Sequence, residues 1–250
     1  MKVRNVRQPQ RNGHMNSNMQ MFSNLTLLKE EKAPIKKLSL KEVLHYSMPH
    51  KGLKREVWQW RMKNAKHFLS ELWKLQLMKA ASKVSGYPFM YGSLWVMKYD
   101  GVTGEQFFYG LACLRLVTNA GRDEVVDEFD AATAAGFDLT SFNFHGIGTG
   151  VTGPAVGDTA LQTELTTEYN PNSTRATGTQ SQPTSDVYRT DGTNTLDSGT
   201  PAVTEAGTLS QAATGGGTLL DRFTFAAINL VGTNGDGLRT IINLTLPSGS

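Results

Sequence analysis

The chain has 250 residues, one cysteine, 25 glycines and a formal charge of +3 at pH 7. That length supports a core without covalent staples, and the single Cys113 excludes an internal disulfide and any cysteine-rich metal site. The small net charge hides an asymmetry: residues 1–90 hold 18 Lys or Arg and 5 Glu, a balance of +13, whereas residues 91–250 hold 7 basic and 17 acidic residues, a balance of −10.

Residues 1–23, "MKVRNVRQPQRNGHMNSNMQMFS", are basic, amide-rich and poor in apolar side chains. They cannot bury enough surface to offset their ordering entropy, so a flexible arm is expected. Within 24–50, "SLKEVLHY" is a short helical candidate, with Ser39 as cap and Glu42 three residues later, between Pro34 and Pro49. No segment reads as a secretory signal, and no uncharged run of about 18 residues reads as a membrane span.

Residues 54–85 predict a long helix. Trp58, Met62, Ala65, Leu69, Trp73, Leu77, Ala80 and Val84 step by 4, 3, 4, 4, 4, 3 and 4, one continuous apolar face. Phe68, Leu72 and Leu75 are expected to widen it, while Lys63, Lys66, Ser70, Lys74 and Lys83 lie mostly elsewhere. Gly86 and Pro88 end the helix.

After Pro88 the period changes to two. Segments 93–99 and 105–117 read as two arms of a hairpin turning at Asp100-Gly101. Thr118-Asn-Ala-Gly121 then opens a helix, "RDEVVDEFDAATAA", closed by Gly136; its acidic residues read as a solvated face. Strands are then expected over 140–145, 162–169, 174–180, 186–191, 201–209, 219–231 and 238–246, with Asn234-Gly-Asp-Gly237 turning between the last two. Many short strands split by Gly, Asn and Pro turns indicate a sandwich or barrel.

Gly148-Thr-Gly150-Val-Thr-Gly153 matches the spacing of a dinucleotide-binding loop. Such a loop needs a parallel βαβ unit and a helix whose amino end faces the pyrophosphate. Here Pro154 and Gly157-Asp158 interrupt at once, and Leu161, Thr163 and Leu165 alternate as in a strand. The expectation is a glycine-rich connection that lets the backbone turn or pack closely. The five histidines are scattered, and no nucleophile, base and oxyanion site assemble, so no catalytic, cofactor or metal residue is assigned. His145 is expected to be a packed or hydrogen-bonding residue, and Cys113, in an apolar run, a buried inert thiol.

The stretches "LVTNAGRDEVVDEF" at 116–129, "FNFHGIGTG" at 142–150, "DTALQTELTTEYNPNSTRATGTQ" at 158–180 and "AVTEAGTLSQAATGGGTLLDRFTFAAINL" at 202–230 carry a resemblance. In this order they resemble a group of tailed-bacteriophage virion proteins, variously head-decoration, head-fibre or tail-fibre-like. The resemblance spans about residues 94–250 and implies a β-sandwich particle component that is not an enzyme. The family often has a histidine where this chain has Ala206, so that residue's role is not carried over.

The expected fold is mainly β, an antiparallel β-sandwich preceded by a basic arm and a long amphipathic helix. Three parts are expected: a basic arm with a short helix over 1–53, an anchor helix over 54–90 and the sandwich over 91–250, which is expected to fold without the anchor. The expected function is a capsid-associated structural protein of a phage particle, docking through arm and helix, with the eight-residue face from Trp58 to Val84 as interface. Its partners would be other virion proteins and copies of itself, with weak non-specific nucleic-acid contact, and its place the virion, assembled in the host cytoplasm. A tail or receptor-binding fibre and a nucleic-acid-binding protein are the alternatives.

Overall fold

Nine strands occur among the described residues: β1 (Tyr91–Tyr99), β2 (Gln106–Leu116), β3 (Phe144–Gly148), β4 (Ala176–Thr177), β5 (Thr179–Thr184), β6 (Val187–Thr195), β7 (Ala202–Leu209), β8 (Leu219–Asn229) and β9 (Gly237–Thr245). The computed structural model describes residues 39–50, 52–85, 90–127 and 139–246, all within one compact unit, Ala33–Ser250. The arm expected over 1–23 lies outside the described residues. Three helices complete the unit: α1 (Leu40–Ser47), α2 (Arg55–Ser85) and α3 (Asn119–Asp127).

The strands form the expected antiparallel sandwich. One sheet has the order β2-β1-β9-β6-β5 and the other β4-β3-β7-β8. Between them lies a core containing Leu94, Val96, Ile147, Val203, Phe223, Phe225, Leu238 and Ile242. β1 and β2 pair as the expected hairpin, with register shifts between Leu94 and Trp95 and between Val96 and Met97. Such bulges add an unpaired residue and bend the strand. Gly110 lies there at φ +93, and Arg61 approaches within 2.9 Å of where a β-carbon would stand; a side chain would be strained and crowded.

The two long sides of the sandwich are closed differently. On one, the chain passes from β4 in the second sheet to β5 in the first across Gly178, whose missing side chain leaves room for His145 and Thr190. A strand that switches sheets makes a corner of this kind. On the other, β2 and β8 are the edge strands of their sheets, and α2 packs along both. α1 packs beside β2, with Tyr46 edge-on to Trp95 at 5.2 Å.

Several expectations change. The strand expected over 162–169 is a loop with isolated bridges at Glu164 and Tyr169. Burial there recurs at every fourth residue instead of every second: Leu161, Leu165 and Tyr169 are buried, Thr163 and Thr167 are exposed, and the segment joins no ladder. The helix expected to open over Thr118–Gly121 does so at Asn119, because Thr118 caps it: Gly121 N donates to Thr118 Oγ1 at 3.0 Å. Its expected continuation over 128–135 lies outside the described residues. The Asn234–Gly237 turn joins the sheets rather than closing a hairpin, since β9 pairs with β1 and β6, not β8. Asp236 fixes this crossing by accepting from Val231 N at 2.9 Å and Gly101 N at 3.1 Å.

The helix expected as a separate anchor shares the core of the sandwich. Trp60 belongs to the main cluster, with Tyr109 at 5.0 Å and Phe225 at 6.5 Å between ring centres. The composition break near residue 90 therefore does not separate α2 from the sheets.

Candidate docking face

α2 carries apolar residues on two opposite sides. Its inner side buries Val57, Trp60, Phe68, Leu72 and Leu75. Phe68, Leu72 and Leu75 thus belong to this inner side rather than widening the face that begins at Trp58. Polar groups on the inner side meet the unpaired backbone of the edge strands. Asn64 Nδ2 donates to Ala112 O of β2 at 2.7 Å, and Asn64 Oδ1 accepts from Ala226 N of β8 at 2.9 Å. Trp60 Nε1 donates to Ala226 O at 2.7 Å, and Arg61 Nε to Tyr109 O at 2.8 Å. The helix thereby satisfies groups that two open edges leave over. The sequence pattern contained Trp60, Arg61 and Asn64, but periodicity alone did not mark them, because two are polar.

The outer side is the face from Trp58 to Val84. Trp58, Met62, Leu69, Trp73, Leu77, Ala80 and Val84 are exposed, Trp73 at 66% and Val84 at 90%, and Ala65 is half-buried. An apolar row of this length on a surface marks an interaction site when it is contiguous. Arg55, Lys63, Lys66 and Lys74 are exposed on the same helix. Lys63 and Lys66 have no ion pair among the described residues. The two carboxylates of α2 are engaged within the chain: Glu56 accepts from Tyr109 Oη at 2.5 Å, and Glu71 from Arg115 at 2.5 Å and Lys74 at 2.9 Å.

The glycine-rich loop has a structural partner in place of a phosphate. Glu205 of β7 is fully buried, and its carboxylate accepts from Gly150 N at 3.1 Å, Gln162 N at 3.0 Å and Thr163 N at 2.7 Å. Arg222 Nε adds a fourth bond at 2.7 Å and turns its Nη1 to Asp158 at 2.9 Å. A β-carbon on Gly150 would stand 2.5 Å from Glu205 Oε1, so the glycine lets the backbone reach the carboxylate. These amides are spent on Glu205, which is why 162–169 joins no ladder. Gly146 and Gly207, opposite each other in the β3–β7 ladder, leave room for Leu161 above them.

Two further buried polar groups lie between the sheets. His145 Nδ1 stands 2.6 Å from Thr240 Oγ1 and Nε2 3.0 Å from Thr190 Oγ1, so one nitrogen donates and the other accepts. Burial lowers its pKa to about 4, which keeps the ring neutral. Asp221 Oδ1 accepts from Thr208 N at 3.1 Å, and Oδ2 has no partner among the described residues. Burial raises its carboxyl to about 7. Cys113 is buried, and desolvation pushes its thiol up to about 12, an unreactive state at neutral pH.

Among the described residues no group of three or more His, Cys, Asp or Glu could hold a metal ion. Among them, too, no helix is long and apolar enough to cross a membrane. No family model matches the chain, and neither a curated protein nor a solved structure matches it.

Proposed function

We propose that this chain is a non-enzymatic structural component of a bacteriophage particle, a capsid-associated protein of decoration, cement or head-fibre type. It docks through its basic N-terminal segment and the outer face of α2, and takes its place in the virion during assembly in the host cytoplasm. The observation that carries this reading is the second apolar side of α2, which the sandwich leaves exposed. The resemblance of residues 94–250 to tailed-phage virion proteins supports it. Covering the exposed half of five large side chains is worth roughly 5 kcal/mol, enough to favour a docked state once other contacts join. The sandwich would project from the particle or bridge its neighbours, including other copies of the chain.

The test is incorporation. Mass spectrometry of purified particles should find the chain in fixed proportion to the capsid protein. Leu69→Asp with Leu77→Asp places two charges on the exposed row and touches no core residue, so incorporation should fall sharply while the melting temperature holds. Normal incorporation of this variant, or absence of the wild-type chain from particles, overturns the reading.

A further inference from the structure

We infer that the outer face of α2 receives an amphipathic helix of another protein whose apolar row is rimmed by Asp or Glu. This rests on the docking reading above and names the chemistry of the partner.

The apolar row winds only slowly around α2. Trp58, Leu69 and Ala80 recur every 11 residues, a repeat of 3.67 residues per turn against the 3.6 of the helix, so the row drifts by roughly 20° per repeat. From Trp58 to Val84 the row runs about 39 Å at 1.5 Å per residue. Such a seam suits side-by-side helix packing, in which ridges of one helix fill grooves of the other. A lipid surface needs only an apolar sector and sets no such spacing. Over Val57–Leu75 the inner side of α2 is buried against the sandwich and bonded to both edge strands through Asn64. Docking therefore orders no helix over that stretch of the interface.

Charge selects among helical partners. The outward charges on α2 include Arg55, Lys63, Lys66 and Lys74, and its two carboxylates, Glu56 and Glu71, are held by Tyr109, Arg115 and Lys74. A second copy of α2 would bring cations against cations. Residues 1–38 of the same chain hold 8 Lys or Arg against 2 Glu, so they meet the same repulsion. An acidic rim would pair with Lys63 and Lys66 as flanking charges do beside a coiled-coil seam.

The experiment uses the full-length chain and two synthetic amphipathic helices with the same leucine row, one flanked by Glu and one by Lys. Tryptophan emission reports binding, and Trp58→Phe with Trp73→Phe isolates the signal of the row, since Trp60 and Trp95 are buried. The Glu-flanked helix should shift the emission to the blue and bind about tenfold tighter or more than the Lys-flanked one. Lys63→Glu with Lys66→Glu should reverse that preference. Equal binding of the two helices overturns the inference. So does quencher protection of Trp58 and Trp73 in the free chain, which would mean that its own residues cover the row. Protection that grows with protein concentration would assign the face to a second copy. A response to phosphatidylglycerol vesicles or duplex DNA, with none to either peptide, would assign it to lipid or nucleic acid. A clear peptide preference with normal incorporation of the Leu69→Asp and Leu77→Asp variant would leave this surface standing and overturn its role in particles. No preference, with incorporation still dependent on Leu69 and Leu77, would do the reverse.

Discussion

His145 and Asp221 oppose each other in their response to pH. The histidine is lowered to about 4, below its usual 6.5, so the unfolded chain binds its proton more readily. Its contribution to stability is present above about 6.5 and is lost as pH falls through 4, on the order of 3 kcal/mol in all. Asp221 is raised to about 7 from 3.8. Its contribution is fully present below 3.8 and is lost as pH rises through 7, on the order of 4 kcal/mol. Asp221→Asn should therefore remove the loss toward neutral pH, leaving a variant more stable than wild type at pH 8 by urea unfolding. A variant less stable at pH 8 than wild type would show that the carboxylate finds a compensating partner. Glu205 works differently, because its buried charge is fully bonded. Glu205→Gln should cost about 3 kcal/mol by leaving Arg222 short of a partner in the core, measured as a lower urea midpoint. Loop 149–163 should also become more sensitive to proteolysis, since three of its amides lose an ionised acceptor.

At the scale of elements, α2 closes the sandwich. β2 and β8 are edge strands, and Asn64 bonds to both across the gap. Asn64→Leu keeps the branched shape but leaves the buried carbonyl of Ala112 and the half-buried amide of Ala226 unpaired, about 1–3 kcal/mol each. The melting temperature should fall by roughly 4–24 °C at 2–4 °C per kcal/mol. Removing residues 1–90 exposes both edges and takes Trp60 from the core, so residues 91–250 alone should show a broad, non-cooperative thermal transition by circular dichroism. A sharp melt there would restore the independent sandwich expected from composition.

Across the whole molecule, charge and apolar surface divide differently from the fold. The basic balance of residues 1–90 permits weak, non-specific binding to DNA at low salt. Affinity that rests on phosphate neutralisation falls steeply with salt, so this binding should vanish near about 150 mM, where exposed charges are strongly screened. Association with particles should persist there, because the row on α2 is apolar. A salt titration of both interactions checks this, and tight DNA binding at that salt would favour the nucleic-acid reading. The same row lies outside the core, so Leu69→Asp with Leu77→Asp should change unfolding free energy by no more than about 0.5 kcal/mol per site.

Periodicity and turn chemistry alone determined the long helix, the β1–β2 hairpin, most later strands and the antiparallel class. The reason is local: the aromatic and aliphatic residues of "SLWVMKY" favour an extended backbone, and the 3–4 spacing from Trp58 to Val84 follows the turn of one helix, whichever side of it a core then takes. The sequence also marked Gly148 and Gly150 as places where backbone packs closely. It did not name Glu205, because a lone acid in "VTEAG" signals nothing until three amides and Arg222 converge on it from distant positions. Nor did it separate the two sides of α2. Both are apolar, and only the path of β2 and β8 decides that Phe68, Leu72 and Leu75 turn inward while Leu69, Trp73 and Leu77 face outward. The strand expected at 162–169 failed for the same reason: Leu161, Thr163 and Leu165 alternate in sequence, but whether a backbone amide meets a neighbouring strand or a buried carboxylate depends on what the tertiary fold places opposite it.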